Sequence, residues 1–425
     1  VFGCVLPFFP YSQTNKGKLV VRLLFELLDI ILFAIALGLL LPICILFGEC
    51  IAAVLPKFQT HLYYALVPRP RVDILVPAHN EAAGISATLQ SLLPQLVEQD
   101  RLIVIADNCD DDTAAVASKA GATVISRQDP QHKGKGYALD YGLQFIATNP
   151  PEVVAIVDAD CVVHPGAIAR ISRLAAATLR PVQAVYLLSQ PPHPQPKDRI
   201  SALAFLVKNL ARPRGLEQLN IPCLLMGSGM AFPWSIVHKV PWATSSIVED
   251  MQLAVDLAIA GHAPIFCLDA LVTGTLPQNK HAALSQRKRW EHGYLQIMLK
   301  QIPRLLQAAI TQKRFDLLAI ALDLCVPPLS LLVILWTAAT VGTAFAVQLG
   351  ISSLYAILLL ATEGLLIFIC IVAVWAQFGR VYFPARTVLL AIPQYILWKI
   401  PLYLAFLFRP QTEWIRTQRN SVVEE

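Results

Sequence analysis

Hydrophobic positions along this chain follow two different rhythms. Long, near-continuous apolar runs occupy roughly residues 30–55, 317–347, 351–378 and 388–408, each matching the ~20 residues a helix needs to cross a bilayer. From Val72 the runs become short and end on polar or turn residues: DILVPAHN (73–80), RLIVIADN (101–108), ATVISR (122–127) and EVVAIVDAD (152–160). Short runs of that kind predict buried parallel strands. Residues 82–98, 112–120, 136–147 and 165–177 between them predict helices. Strand alternating with helix predicts a doubly wound α/β sheet, with ligands at the C-terminal ends of its strands.

Composition sharpens this division. With 425 residues, 15% charged and a mean hydropathy of +0.56, the chain is too apolar for an ordinary soluble protein. The pattern divides it into an N-terminal interfacial segment and anchor (1–69), an α/β domain (70–278), interfacial amphipathic helices (279–315), a C-terminal transmembrane region (316–408) and a cytosolic tail (409–425). The first apolar run has no cleavage-type small-residue site behind its basic flank, so a retained anchor is expected. Residues 16–29 form an interfacial helix ahead of a span starting near Ile30, or the run folds as a re-entrant hairpin through Gly38 and Pro42. Pro393 and Pro401 leave the last run open between an interfacial or re-entrant element and a true span.

The net charge of +5 is mild, and its cations gather beside the apolar runs, at 280–314 and at Arg380, Arg386, Arg409, Arg416 and Arg419. Such clusters set topology and face cytosol and anionic membrane lipid, which argues against a nucleic-acid partner. Nine cysteines include no CxxC pair, so neither a zinc site nor a disulfide framework is implied.

The polar residues fall where a doubly wound sheet places its ligands. The first predicted strand ends at His79, Asn80 and Glu81, the second at Asp107 and Asn108, the fourth at Asp158 and Asp160. Paired carboxylates one residue apart suit Mg²⁺ or Mn²⁺ and a diphosphate, although an isolated Asp often merely ends a strand. HKGKGYALD (132–140) sets Lys133 and Lys135 among glycines before a helix, a setting that favours phosphate. It is not a Walker A loop, and no GxGxxG follows the first strand. Glu249 and Asp250 open an amphipathic helix, where acidic residues also serve simply to complement the helix dipole. In QRKRW (286–290), Arg289 can pin a diphosphate and Trp290 can stack on a sugar or anchor at the interface.

Taken in order, PAHNE (77–81), ADNCDDDT (106–113), KGKGYALD (133–140), DAD (158–160), GSGM (227–230), VED (248–250) and QRKRW (286–290) resemble the family-2 glycosyltransferases. The QxxRW element is similar to the membrane-integrated branch that includes cellulose, chitin and hyaluronan synthases and ceramide glucosyltransferases. The resemblance implies a GT-A fold with a UDP-sugar donor. Asp107 would contact the uracil with Pro77 and Glu81 nearby, Lys135 and Gly229 would lie close to the donor, and Asp158 and Asp160 would hold UDP and a Mg²⁺ or Mn²⁺ ion. Asp250 would be the general base beside Glu249, Arg289 would stabilise the leaving diphosphate, and Gln286 and Trp290 would shape the acceptor end. Ala106 and Val248 depart from the DD and TED forms common in that family, and neither removes a catalytic group. EWIRT (413–417) is similar to the tails of hyaluronan-type synthases.

The implied activity is inverting hexosyl transfer from a UDP-sugar to a lipid or a growing polysaccharide at the cell inner or plasma membrane, with the catalytic domain cytosolic. Few C-terminal spans for a long polymer channel favour a lipid-linked acceptor or a homo-oligomer, and Asp323 and Glu363 are candidates to line a translocation path. The competing reading is a non-catalytic nucleotide-sugar-binding partner of a polysaccharide synthesis or export complex. Retention of DAD, VED and QRKRW together argues against it.

Overall fold

The computed structural model describes residues 15–56, 67–190, 194–244, 248–275, 280–409 and 411. The EWIRT segment and most of the C-terminal tail lie outside them. Helix α1 (Asn15–Val54) precedes an eight-stranded sheet of β1 (Val72–Ala78), β2 (Arg101–Asp107), β3 (Thr123–Arg127), β4 (Val153–Ile156), β5 (Cys161–Val163), β6 (Val182–Ser189), β7 (Met230–Pro233) and β8 (Ile265–Thr275). The spatial order is β3-β2-β1-β4-β7-β6-β8-β5. Strands β1 to β4 run parallel, β7 runs antiparallel to both neighbours, β8 is parallel to β6, and β5 is antiparallel to β8.

Alternation along the strands supplies two cores, because successive side chains point to opposite faces. Ile74, Val76, Leu102, Val104, Val153 and Ala155 face one side, packed by α2 (Ile85–Leu92) and, after α3 (Thr113–Lys119) and α4 (Lys135–Ile146), by α5 (Ala167–Thr178). Leu75, Ile103, Ile105, Val154 and Ile156 face the other, under α4. The connection to β7 carries α6 (Pro196–Leu206) and α7 (Arg212–Gln218); α8 (Trp234–Val237) and α9 (Glu249–Ile259) precede β8. A polar residue at the start of β1, Asp73, is wholly buried because Arg101 of β2 donates Nε–H to it at 2.9 Å.

After the sheet come α10 (Lys280–Gln312), α11 (Phe315–Leu324), α12 (Leu329–Gln348), α13 (Leu354–Val374) and α14 (Ala385–Phe408). Three helices among the described residues are long and apolar enough to cross a membrane: Leu19–Val54, Leu329–Gln348 and Leu354–Gly379. The apolar run expected over 317–347 is therefore two elements, since Pro327 and Pro328 lack the N–H groups a continuing helix needs. Its first piece, α11, buries Leu317, Ile320 and Leu324 in the domain core beside Tyr294 and Leu305 of α10.

Helix α1 runs unbroken through Gly38 and Pro42 for 40 residues, so the hairpin alternative is not what forms. At 1.5 Å per residue it is about 60 Å long, roughly twice the hydrocarbon core. Its two ends do different work. Ile43, Leu46, Cys50 and Ala53 pack against α6 and α13 beside the domain. At the other end Asp29 accepts hydrogen bonds from Ser352 Oγ at 2.7 Å and from the Ser353 N–H at 2.9 Å, in the turn between α12 and α13. That turn lies at the end of both helices remote from the domain, so residues 15–29 continue the helix past it instead of forming a separate element. The last helix, α14, packs on the domain-side elements: His292 of α10 bonds the Leu402 carbonyl at 3.0 Å, Tyr403 bonds Ser330 at 2.6 Å, and Tyr395 packs on Ile200.

Candidate active site

The ends of β1 and β2 make one wall of a cleft. Asn80 and Asn108 take left-handed backbone conformations, φ 54° and 51°, which Asn tolerates better than most residues. The His79 Nδ1 sits 2.7 Å from the Asp107 carbonyl, and the Glu81 N–H donates to Thr113 Oγ at 2.8 Å. Pro77, Glu81, Asp107, Lys135, Asp158, Asp160, Gln286, Arg289 and Trp290 all line this cleft, whose volume is ≈ 190 Å³. The Asp107 carboxylate is already engaged, by Arg127 at 2.6 Å and by the Asn108 amide at 3.1 Å on the same oxygen. Arg127 was not singled out in the sequence; its signal is register, since β2 and β3 pair Asp107 with Arg127 as their last partners.

An acidic centre lies deeper. Lys135, at the first position of α4, reaches the Asp158 carboxylate at 2.5 Å and donates to the Gly227 carbonyl at 2.5 Å. The Gly227–Gly229 turn has φ +93° and +69° at its glycines, conformations that exclude most side chains. It is clamped to the sheet: the Asp158 N–H donates to Ser228 Oγ at 3.1 Å, and Gln183 donates to the Ser228 carbonyl at 2.9 Å. A methyl group added at Gly227 would lie 3.3 Å from Asp250 Oδ2, 3.8 Å from Lys135 Nζ and 3.9 Å from Asp158 Oδ2. Residues more than ninety positions apart thus converge on one backbone carbon. Gly229, expected at the donor, does not face either cavity. A methyl there would meet Val272 Cγ2 at 2.8 Å, so this glycine serves close packing behind the wall, and Gly227 is the one at the site.

Charge at this centre is unbalanced. Burial pushes Glu249 up to about 7, with the Asp250 carboxylate adding to the effect and Lys135 opposing it. Burial likewise holds Asp158 and Asp250 above the usual carboxylate range against the pull of Lys135. Burial would lower Lys135, but Asp158, Glu249 and Asp250 together raise it above its ordinary value. The donor atoms of Asp158, Asp160 and Cys161 lie within 4.8 Å of one another. The buried Cys161 thiol is driven well up by desolvation and by both aspartates, so it stays neutral. What remains is a pair of carboxylates, an oxygen donor set that fits Mg²⁺ or Mn²⁺.

A second cavity of ≈ 250 Å³ opens on the other side of the same centre, sharing Lys135, Asp158, Tyr186, Arg289 and Trp290 with the first. Asp250, Glu249, Lys208, Arg287 and Tyr294 line it, together with Leu46 of α1, residues 327–330 ahead of and within α12, and Tyr395 of α14. Trp290 stands at the junction of the two cavities, 5.7 Å from the Phe205 ring, which in turn meets Tyr186 edge-on at 5.6 Å. The structure therefore brings together every site residue expected from the sequence except Gly229.

A mostly parallel sheet with paired aspartates at a strand end, a flanking lysine and a tryptophan-bearing helix across the cleft defines a GT-A-type domain. The profile of the glycosyltransferase like family 2 matches residues 68–293, and the chain belongs to that family. It is similar to the probable glycosyltransferase YdaM of Bacillus subtilis, 24% identical over 275 residues, covering 58% of this chain and 61% of that protein. Over 92 residues it is 39% identical to a Staphylococcus aureus 4,4'-diaponeurosporenoate glycosyltransferase, covering 21% of this chain and 24% of that one. The chain thus spans less than two thirds of the length of either relative. Among solved structures, a Pyrobaculum calidifontis mannosyltransferase in complex with GDP-Man and Mn²⁺ superimposes with a TM-score of 0.55 at 18% identity, covering 89% of this chain and all of that one.

Proposed function

We propose that the chain is an inverting hexosyltransferase of the membrane-integrated branch of its family, moving a sugar from a UDP-sugar to a lipid or growing polysaccharide acceptor, with the catalytic domain cytosolic. The convergence of Asp250, Asp158 and Lys135 around Gly227, where the two cavities meet, carries this reading. It supports a donor whose base and ribose fill the cleft at Pro77, Glu81 and Asp107, with its diphosphate beside Asp158 and Lys135. An acceptor in the second cavity then presents its hydroxyl to Asp250.

Asp250 takes the hydroxyl proton as the acceptor oxygen attacks the anomeric carbon from the face opposite the diphosphate. One C–O bond forms, the bond from carbon to the diphosphate oxygen breaks, and UDP leaves with the electron pair. Lys135 and Arg289 hold the charge that develops on the leaving group. Mg²⁺ or Mn²⁺ at Asp158 and Asp160 would neutralise further diphosphate charge. Burial raises the Asp250 carboxyl above its ordinary value, which makes its ionised form a stronger base than a solvated carboxylate.

The test is UDP release by the full chain in detergent, across a panel of UDP-sugars with GDP-mannose as comparator and with Mn²⁺ or Mg²⁺ present. Release with one donor should fall by about 10²–10⁴-fold in Asp250→Asn, with donor binding retained. An Asp250→Asn variant as fast as the natural protein sinks the mechanism.

A further inference from the structure

The part of α10 that carries QRKRW (286–290) has two working faces, because side chains three and four positions apart share one side of a helix. Gln286, Arg289 and Trp290 line the donor cleft. Arg287 and Glu291, one turn apart, engage α14 instead. The Arg287 guanidinium lies 5.2 Å from the centre of the Trp398 ring and 3.7 Å from the Asp198 carboxylate of α6. Glu291 is ion-paired to Lys399, 108 residues further along the chain.

Lys399 stands in an unexpected place for its charge. It is the one charged residue of 387–408, its side chain is 1% exposed, and its ammonium lies 5.5 Å from the centres of both the Tyr395 and Trp398 rings. Glu291 depends on it equally. The pair is made through Oε1, and among the described residues the buried Oε2 has no hydrogen-bond partner. Burying two charges is costly, and an apolar pair of similar volume often joins two helices as firmly. What the ion pair adds is direction. With Arg287 held one turn away, it fixes how α10 is rotated about its own axis, and hence where Arg289 and Trp290 point. At a helix radius of about 5–6 Å, a rotation of roughly 10° moves a side-chain tip by about 1 Å, a misplacement that can cost on the order of 10²-fold in rate.

Resting on the transferase reading, we infer that Lys399 is a positioning residue for the reaction: through Glu291 it sets the rotation of α10 that aims Arg289 at the leaving diphosphate and Trp290 at the junction of the cavities. Lys399 lines neither cavity, so it acts only through α10. Transfer then requires α14 to be docked on the domain.

The test uses the full chain in detergent and measures thermal unfolding, Mn²⁺-dependent UDP affinity, and kcat and KM for UDP release from the best donor of the UDP-sugar panel. Lys399→Met should lower kcat by about 10–10²-fold, with UDP affinity and KM kept within about threefold. Lys399→Arg should keep most of the rate. Because Lys399→Met alone leaves a buried carboxylate unpaired and can unfold the protein, a second variant joins it to Glu291→Met. This uncharged pair should recover the natural unfolding temperature and still show the low kcat. Recovery of kcat together with stability would mean that the ion pair only holds the fold, and overturns the inference. So does a Lys399→Met variant with the natural kcat. If the natural protein binds UDP but turns over no sugar of the panel, hydrogen exchange supplies the readout. UDP with Mn²⁺ should protect the amides of residues 284–291 in the natural protein and not in the uncharged pair; equal protection overturns the inference. A natural protein that binds no nucleotide sinks the transferase reading itself, and the role of Lys399 falls with it.

Discussion

The two cavities that meet at Lys135 and Asp158 are assembled in opposite ways. The donor cleft takes most of its wall from the ends of β1, β2 and β4 and the start of α4, all between residues 77 and 160. The second cavity draws on α1, the α6–α7 segment, α9, α10, the proline pair before α12 and α14. The first is the more polar and is held by sheet register; the second is the more apolar and rests on how the helices that flank the sheet, long apolar α1 and α12 among them, dock against the domain. On the proposed reading, the nucleotide is then held mainly by sheet ends, with Gln286, Arg289 and Trp290 of α10 closing the cleft, whereas the acceptor depends on the flanking helices being in place.

The largest effect should come from the donor side. Asp158→Asn or Asp160→Asn removes half of the carboxylate pair offered to the cation, and Asp158→Asn also removes the ion-pair partner of Lys135. Loss of several kcal/mol of transition-state stabilisation, on the order of 10³-fold in kcat/KM, is expected. Mn²⁺-dependent UDP binding, measured by calorimetry, should weaken with it. A variant that keeps its Mn²⁺-dependent affinity would remove the metal from this pair.

The same asymmetry decides what the sequence reveals. Strands β1 to β4 and the polar residues that end them are legible because a parallel strand is a local apolar run and its C-terminal end is a fixed address. Arg127 is less so, because its importance comes from standing opposite Asp107 in the neighbouring strand. Strands β5 to β8 pair across long connections and with mixed polarity, and no local pattern announces that order. Gly227 and Gly229 look equivalent as residues; only packing against Val272 separates the one behind the wall from the one at the site.

The next prediction loads the acceptor side without touching the donor. Arg212 of α7 is buried between Glu49 of α1 and Asp323 of α11, and Gly215, one turn on, lets α7 lie directly against the Glu49 carbonyl. Arg212→Met leaves two carboxylates facing each other with no cation, a change that typically costs about 3–5 kcal/mol. Thermal unfolding in detergent should shift down accordingly, and combining the change with Glu49→Gln and Asp323→Asn should recover most of the loss. Donor affinity, if the domain is self-sufficient, stays within about twofold, well under 1 kcal/mol. A parallel collapse of UDP binding would show that the sheet depends on α1 after all.

The smallest effect probes the point where the halves join. Glu249 and Asp250 are adjacent at the start of α9, both raised by burial, Glu249 to about 7. A carboxyl with a raised value keeps its proton until the pH is higher, so the base form needed for proton abstraction is depleted as pH falls. The acidic limb of kcat/KM, which reports the free enzyme, should therefore stand nearer neutrality than the ~4 of a solvated carboxylate. With Glu249 pushed up to about 7, that side chain is neutral over the acid side of a limb set by Asp250, so Glu249→Gln, which copies the neutral form, should leave the limb within about 0.3 pH units, roughly twofold in rate. Because Glu249 and Asp250 both line the second cavity and act on Lys135, a limb displaced by about one pH unit or more would mean that Glu249, and not Asp250, is the group titrating as the base.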